Sequence, residues 1–210
     1  MGCGGLRFAA PAAAVNLLLV NGHHPYSGAK GALADAFLAR ARALARARGD
    51  AVRETHVATD WAIDEEVDRH VWADAVLYHY PVYTMSVPWR TKRYLDEIFT
   101  AGMDGRMSKG DGRSRRDPTA EYGMAGVLTG TRYMLCVTFN APAAAFDDPA
   151  KPFFQGMSVD DLMRPVHLAM KFVGMRPLPS FAAFDVHKNP DTAGDLARFE
   201  RHIEEHLVPA

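Results

Sequence analysis

Short apolar runs alternate with amphipathic stretches along most of the chain. The first run, residues 15–20 (VNLLLV), ends at the turn dipeptide Asn21-Gly22, and residues 28–48 then carry apolar side chains at helical spacing up to Gly49. An apolar run bounded by turn residues predicts a buried strand, and an apolar period near 3.6 residues predicts an amphipathic helix. The chain therefore opens with a predicted strand, loop and helix.

The same order repeats toward the middle of the chain. Residues 51–57 alternate apolar and polar side chains, which suits a strand at the edge of a sheet. A short helix is predicted over residues 63–71, and a buried strand begins at residue 74 and turns at Pro81. An amphipathic helix follows Pro88, because proline is favoured at the start of a helix.

The second half of the chain predicts two further strand–helix units. Apolar runs at residues 122–128 and 131–139 are separated by Thr129-Gly130, so the second is the expected fourth strand and the first is a candidate hairpin partner for it. The remaining predicted elements are a helix over residues 158–174 capped by Ser158, a fifth strand over residues 177–186 and a closing helix over residues 191–207.

Five alternations of strand and helix predict an α/β fold with a parallel sheet covered on both faces. The economical arrangement is a flavodoxin-like, doubly wound, five-stranded sheet in the order 2-1-3-4-5. Ligands of such sheets bind at the carboxyl ends of the strands, where the winding reverses. We therefore expect the loops after strands one, three and four to lie side by side.

Composition narrows the class of partner. The chain has 210 residues, 48% hydrophobic, with a formal net charge of -1, so it gives no electrostatic case for nucleic acid or an anionic membrane. We expect one domain over residues 15–210 behind a flexible Gly- and Ala-rich extension at residues 1–14. Cys136 lies inside an apolar run, so we expect no disulfide and a cytoplasmic location without membrane insertion.

Two of the predicted loops have suitable chemistry for a ligand. Ser27 and Lys30 stand just ahead of a helix N-terminus, where unpaired N–H groups and the helix dipole favour a phosphate, although a capped loop with nothing bound is an open alternative. Residues 81–89 (PVYTMSVPW) gather aromatic and thioether side chains at a strand end. A flat heterocycle would find stacking surfaces there, and aromatic packing alone is the simpler alternative.

An ordered series of segments resembles the flavodoxin-like NAD(P)H:quinone oxidoreductases, in particular the bacterial modulator-of-drug-activity-B branch. The series comprises Asn21-Gly22, YPVYTMSVPWRTKRYLDEIFT from residue 80, DGRSRRDP from residue 111, YGMAG from residue 122 and TFNAP from residue 138. The resemblance implies a bound FAD, NADPH as the electron donor, a quinone acceptor and a homodimer with the active site near its interface.

The resemblance also implies which residues hold the FAD. The pyrophosphate would lie over Ala29, Lys30, Gly31 and the helix that starts near Leu33. The isoalloxazine ring would be lined by Pro81, Val82, Tyr83 and Thr84, and the pocket would be completed by Tyr122, Thr138, Phe139, Asn140 and Ala141. The chain departs from the family at two places, where Gly-Trp-Trp is Val82-Tyr83-Thr84 and Ser-Asn-Gly-Gln is Ala29-Lys30-Gly31-Ala32.

The chemistry of a flavin requires few protein acids or bases, so we name no catalytic residue. Two rival functions stay open: an FMN-dependent reductase of azo or nitro aromatics, and a flavin-bearing electron carrier or regulatory subunit. The Gly-rich stretch at residues 102–118 is either a functional excursion or a mobile flap. Its Arg113, Arg115 and Arg116 are candidates for the 2′-phosphate of NADPH, but the aspartates beside them favour the alternative of a solvated loop. The pattern His202-x-x-Glu205-His206 resembles a zinc motif, but it has no evident third ligand, so we predict no metal site.

Overall fold

A computed structural model gives the structure of residues 14–26 and 29–207. The extension predicted over residues 1–14 lies, apart from its last residue, outside the described part of the chain, and so does Ser27.

The apolar runs form one parallel sheet. Its strands are β1 (Asn16–Asn21), β2 (Ala51–His56), β3 (Ala75–Pro81), β4 (Arg132–Thr138), β5 (Arg176–Pro177) and β6 (Phe181–Ala183). They are arranged in the order β2-β1-β3-β4-β5, and β6 also pairs with β4. The predicted order and the edge position of the second strand are therefore confirmed.

Helices cover both faces of this sheet. They are α1 (Ala32–Arg48), α2 (Ile63–Trp72), α3 (Trp89–Ala101), α4 (Val159–Leu162), α5 (Arg164–Phe172) and α6 (Thr192–His206). Alternate strand residues point to opposite faces, so Leu17 packs with Phe37 of α1 and Phe199 of α6, while Leu18 belongs to the core under α2, α3 and α5. Among the described residues, no helix is both long and apolar enough to cross a membrane.

Three predicted elements differ from the structure. Residues 122–128 form no hairpin with the fourth strand; instead the N–H of Leu128 donates to the carbonyl of Val173, beyond α5. The predicted helix over residues 158–174 is two helices, because Pro165, in the first turn of α5, has no N–H to continue the bonding of α4. The fifth strand is two short pieces, because Pro179, which lies between them, has no N–H to donate to the sheet.

The first half of the Gly-rich stretch is packed against the domain, which argues against a flap there. Met107 and Ser108 are fully buried. The guanidinium of Arg106 makes ion pairs with Asp64 and Asp68 of α2 and with Asp104. These contacts fix the chain as far as residue 109, where the N–H of Lys109 donates to the carbonyl of Ala125.

Candidate functional site

The loops after β1, β3 and β4 meet at one edge of the sheet. Asn21 pairs with His79 in the sheet register, and Pro81 pairs with Thr138, so the three strands end side by side. A cavity of about 520 Å³ lies among these loops. Ten of the predicted site residues line it: Ala29, Lys30, Gly31, Leu33, Pro81, Val82, Tyr83, Thr84, Thr138 and Asn140.

The other predicted residues do not line this cavity within the described chain. Phe139 and Ala141 belong to the turn after β4, but the ring of Phe139 is buried behind it and stacks on Phe184 at a centroid distance of 5.6 Å. Tyr122 lies in a groove between α3 and α5, where its ring contacts Phe172 at 6.0 Å and 65% of the side chain is exposed. Tyr122 therefore does not line this cavity within the described chain, and its part in the flavin pocket stays a prediction.

The loop after β1 is held tightly against the sheet. The N–H of Gly22 donates to the carbonyl of His79 at 2.6 Å, and the hydroxyl of Thr91 donates to the carbonyl of Gly22. The side-chain oxygen of Asn21 accepts from the N–H of His23, whose ring Nε2 lies 3.1 Å from the carbonyl oxygen of Ala29. These bonds set the position of the chain that leads to α1.

The N-terminus of α1 opens into the cavity. Gly31 caps the helix with φ 85°, a left-handed conformation that favours glycine, and within the described residues no side chain caps the first turn by a hydrogen bond. Ala32, Leu33 and Ala34 form that turn and line the cavity, together with Lys30. Unpaired N–H groups, the positive end of a 17-residue helix and a lysine give this wall the character of an anion site.

The loop after β3 contains a strained two-residue turn. Tyr83 and Ser86 exchange both backbone hydrogen bonds, and the residues between them, Thr84 and Met85, have φ values of 48° and 63°. Glycine or asparagine is usual at such positions, and each left-handed non-glycine residue costs on the order of 1–3 kcal/mol. Strain of this kind clusters at binding sites, and here it lies in the cavity wall.

A buried hydroxyl in the same wall is without a partner. Within the described chain, the hydroxyl oxygen of Tyr83 is buried and makes no hydrogen bond. Burial, followed by the nearby Tyr26, raises the pKa of Tyr83, so its phenol stays protonated at neutral pH. It is therefore available as a neutral hydrogen-bond donor.

A further part of the cavity wall was not predicted from the sequence. Tyr26, His23 and His79 line the cavity, and so do Val186 and His187, which follow β6. His79 lies inside the buried strand β3, is only 1% exposed and has its Nδ1 3.3 Å from the thiol sulfur of Cys136. Only the position of the loop after the fifth strand, at the same sheet edge, could have indicated Val186 and His187.

We expect the free energy of unfolding to fall as the pH drops below about 6.5. Burial lowers the pKa of His70 to about 4 and that of His79 to about 3, from a value of 6.5 in the unfolded chain. The contribution of these two histidines to the free energy of unfolding is complete above pH 6.5. It is lost as the pH falls, because the histidines of the unfolded chain bind protons that the buried native histidines do not.

Urea unfolding at a series of pH values checks this expectation. The replacement His70→Gln should flatten the curve, because Gln does not titrate. A wild-type curve that stays level from neutral pH to about pH 4.5 would contradict the assignment.

The other sequence signals have local explanations. Arg113 pairs with Asp111 at 2.7 Å and lies over the ring of Tyr122 at 5.2 Å. His202 Nε2 lies 2.8 Å from the carbonyl oxygen of Pro179. In the described part of the chain, no group of three or more His, Cys, Asp or Glu side chains is arranged to hold a metal ion.

Comparisons with known proteins identify relatives of the whole fold. A family model described as "Flavodoxin-like fold" matches residues 15–207. The NADPH:quinone oxidoreductase MdaB of Haemophilus influenzae is 35% identical over 190 residues, which cover 90% of this chain and 98% of that protein.

Two solved structures show the same fold. One is a candidate quinone reductase from Klebsiella pneumoniae, with a TM-score of 0.70 and 19% identity over 91% of this chain and 84% of that chain. The other is general stress protein 14 from Treponema denticola in complex with FMN, with a TM-score of 0.57 and 17% identity over 91% of this chain and 95% of that one.

Proposed function

The chain belongs to the flavodoxin-like fold family that includes the Haemophilus influenzae NADPH:quinone oxidoreductase MdaB, and from this membership we propose that it reduces quinones by two electrons with NAD(P)H through a bound FAD. The observation that carries the proposal is the cavity at the carboxyl edge of the sheet, with an anion site at one end and a strained, partly aromatic loop at the other. A phosphate-tailed planar ring needs both features.

The residues of the cavity fit a flavin. The first turn of α1 and Lys30 would hold the phosphates, because that helix end has no side-chain cap. The predicted isoalloxazine residues Pro81 to Thr84 lie beside the turn at Thr138 and Asn140, and the N–H of Val82 donates to the carbonyl of Thr138 at 2.9 Å. Within the described residues, the N–H groups of Thr84 and Met85 make no backbone hydrogen bond, so they are free to bind the ring edge.

A bound flavin supplies the redox chemistry, since it accepts a hydride from a nicotinamide and passes two electrons to a quinone. The protein binds and orients the flavin and its substrates, and it excludes water from the cavity. Backbone N–H groups of the loop after β3 and the helix N-terminus stabilise negative charge on what they bind. The protonated phenol of Tyr83 is positioned in the cavity wall to donate a hydrogen bond, once that wall opens to a ligand, and no side chain in the cavity has to act as a strong base.

Cofactor extraction and turnover test the proposal. The purified chain should be yellow, release FAD rather than FMN, and oxidise NADPH when a simple benzoquinone is supplied. An FMN-dependent azo reductase would release FMN and turn over azo dyes faster than quinones. An electron carrier would bind flavin but oxidise NADPH slowly with either acceptor. Absence of stoichiometric flavin would exclude all three functions.

The position of Tyr122 supports a homodimer as the working unit. Tyr122 shares its groove with three other large apolar side chains that are exposed, Met103 (43%), Met124 (64%) and Leu168 (59%). Contiguous exposed apolar surface of this kind marks an interaction site. A second copy docked on the groove would cover these residues and bring Tyr122 toward the partner's cavity, consistent with an active site near the interface.

The replacement Leu168→Asp should weaken the dimer at least about tenfold, because it places an unpaired charge in the interface. Size-exclusion chromatography with light scattering at a series of concentrations measures the change. Val71→Asp is a matched control, since Val71 is 46% exposed on α2, outside the groove. A wild-type monomer, or dissociation by Val71→Asp alone, would contradict this interface.

The buried free thiol of Cys136 is consistent with the cytoplasm as the location.

A further inference from the structure

A second cavity, of about 600 Å³, lies between α5, the segment before β4 and the strand β5. Within the described residues, none that lines it also lines the cavity proposed for the flavin. Tyr133, the second residue of β4, lines the second cavity, which therefore lies near the amino ends of the strands, whereas the flavin cavity lies at their carboxyl ends. The two cavities are separate sites.

Three polar side chains in the wall of the second cavity are joined by hydrogen bonds. His167 Nδ1 lies 2.6 Å from the hydroxyl oxygen of Tyr133, and His167 Nε2 lies 3.2 Å from Oδ1 of Asp160. The bond with His167 is the main cause that lowers the pKa of Asp160, so this carboxylate is ionised and can only accept. His167 Nε2 therefore carries the imidazole proton, and His167 Nδ1 accepts from the phenol.

The phenol oxygen of Tyr133 can accept a further hydrogen bond. Tyr133 is only 1% exposed, and burial, followed by Asp160, raises the pKa of its phenol, which stays protonated at neutral pH. The single phenol proton is used in the bond to His167, whereas the oxygen has a second lone pair. A ligand in this cavity therefore meets an acceptor, which suits a hydroxyl group on the ligand.

The charged side chains of the second cavity favour an anion. Both of its carboxylates are occupied, since Asp161 pairs with Arg164 at 2.7 Å and Asp160 is bound to His167. Lys171 and Arg176 line the same cavity, and in the described part of the chain neither of them forms an ion pair. Two cations without counter-ions attract a carboxylate.

We infer that the second cavity is a ligand site and that it takes a small carboxylate with an apolar body and a hydroxyl group, as in a hydroxyaryl acid. The carboxylate pairs with Lys171 and Arg176, and the hydroxyl donates to the phenol oxygen of Tyr133. The volume is typical of a site for a small organic molecule. The apolar body lies against the apolar side chains of the wall, which are Met124, Leu168, Met175 and Pro177.

The second cavity adjoins the groove proposed as the dimer interface. Met124, Leu168 and Lys171 line both, so a second copy docked on the groove would close one side of the cavity. Arg176 lines the cavity and not the groove, whereas Lys92 lines the groove and not the cavity. These two cations therefore distinguish a ligand in the cavity from one in the groove.

Isothermal titration calorimetry of the full chain as purified tests the inference. We expect para-hydroxyphenylpropanoate to bind with a Kd below about 1 mM, and tyramine, in which an ammonium replaces the carboxylate, to bind at least about tenfold more weakly. Arg176→Gln should weaken binding of the acid about fivefold, because it removes one of the two unpaired cations. Lys92→Gln is the matched control and should leave the affinity unchanged.

Tyr133→Phe tests the other end of the ligand. It removes the acceptor and keeps the ring, so the affinity for para-hydroxyphenylpropanoate should fall about fivefold while that for phenylpropanoate, which lacks the hydroxyl, stays the same. A general loss of structure would weaken both acids equally. This difference between the two acids is therefore specific to the proposed hydrogen bond.

Four results would overturn the inference. They are a wild-type chain that binds neither acid, tyramine that binds as tightly as the acid, weakening by Lys92→Gln but not by Arg176→Gln, and release of flavin as the acid is added. The inference does not rest on the proposed function, since the two cavities share no residue of the described chain. A chain purified without flavin would overturn the proposed function, and the same titration would still decide whether the second cavity binds the acid.

Discussion

The replacement Gly31→Ala is expected to weaken flavin binding about 100-fold while the domain stays folded. Gly31 is the residue at which the chain turns into α1, and its φ of 85° is left-handed. A Cβ at this position would lie 2.7 Å from Cε1 and Nδ1 of His23. Either the backbone at residue 31 or the ring of His23 must therefore move.

The ring of His23 has little freedom to move aside. It is 8% exposed, and its Nε2 lies at hydrogen-bond distance from the carbonyl of Ala29, two residues before Gly31. Displacing the ring shifts the same chain that leads to the first N–H groups of α1. Each charge-assisted hydrogen bond to a phosphate contributes about 1.5–3 kcal/mol, so misplacing one or two of them accounts for the expected loss.

The other end of the same helix provides the control. Gly49 caps α1 at its C-terminus with φ 87°, and a Cβ there would meet no atom within 4 Å. Gly49→Ala therefore imposes a similar backbone strain, roughly 1–2 kcal/mol, without touching the cavity. We expect both variants to melt a few degrees lower and only Gly31→Ala to lose flavin. Equal flavin affinities in the two variants would show that Gly31 does not contribute to flavin binding.

The sequence predicted the strand order because each strand and helix is complete in its local pattern. The runs at residues 15–20 and 131–139 are apolar, of strand length and followed by turn residues, so both are assigned as strands rather than helices. The errors lie where local pattern and tertiary pairing disagree. The run at residues 122–128 has the composition of a strand, but its N–H groups pair with residues 107 and 173, which are distant in sequence.

In the candidate site, too, some residues could be predicted from local pattern and others depend on tertiary pairing. Residues in the loops after β1, β3 and β4 could be predicted, because parallel strands place their carboxyl ends at one edge. His79 could not be predicted, since it lies within the buried strand β3 like a core residue, and its place at the cavity depends on its pairing with Asn21 in the sheet register. Tyr122 could not be placed either, because the segment that carries it is positioned by α5 rather than by the sheet.

This dependence makes Gly126→Ala the most destabilising single replacement that we expect, at about 3 kcal/mol. A Cβ on Gly126 would lie 2.2 Å from the backbone nitrogen of Gly174 and 2.3 Å from the carbonyl carbon of Val173. Both neighbours are backbone atoms, so no side chain can rotate away. The two segments must separate, and the hydrogen bonds from Val127 to Met107 and from Leu128 to Val173 are strained with them.

Thermal unfolding should detect this change as a fall of roughly 6–12 °C in Tm. Gly130→Ala is the matched control, because Gly130 lies in the next turn, a Cβ there meets no atom within 4 Å, and we expect a change within about 0.5 kcal/mol. The replacement Gly126→Ala also tests the proposed dimer interface, since residues 122–128 carry Tyr122 and Met124 into the groove. If the close contact of Gly126 with Gly174 positions that surface, the dimer should weaken in Gly126→Ala and not in Gly130→Ala. Two variants with the same Tm would show that the backbone contact at Gly126 is not required.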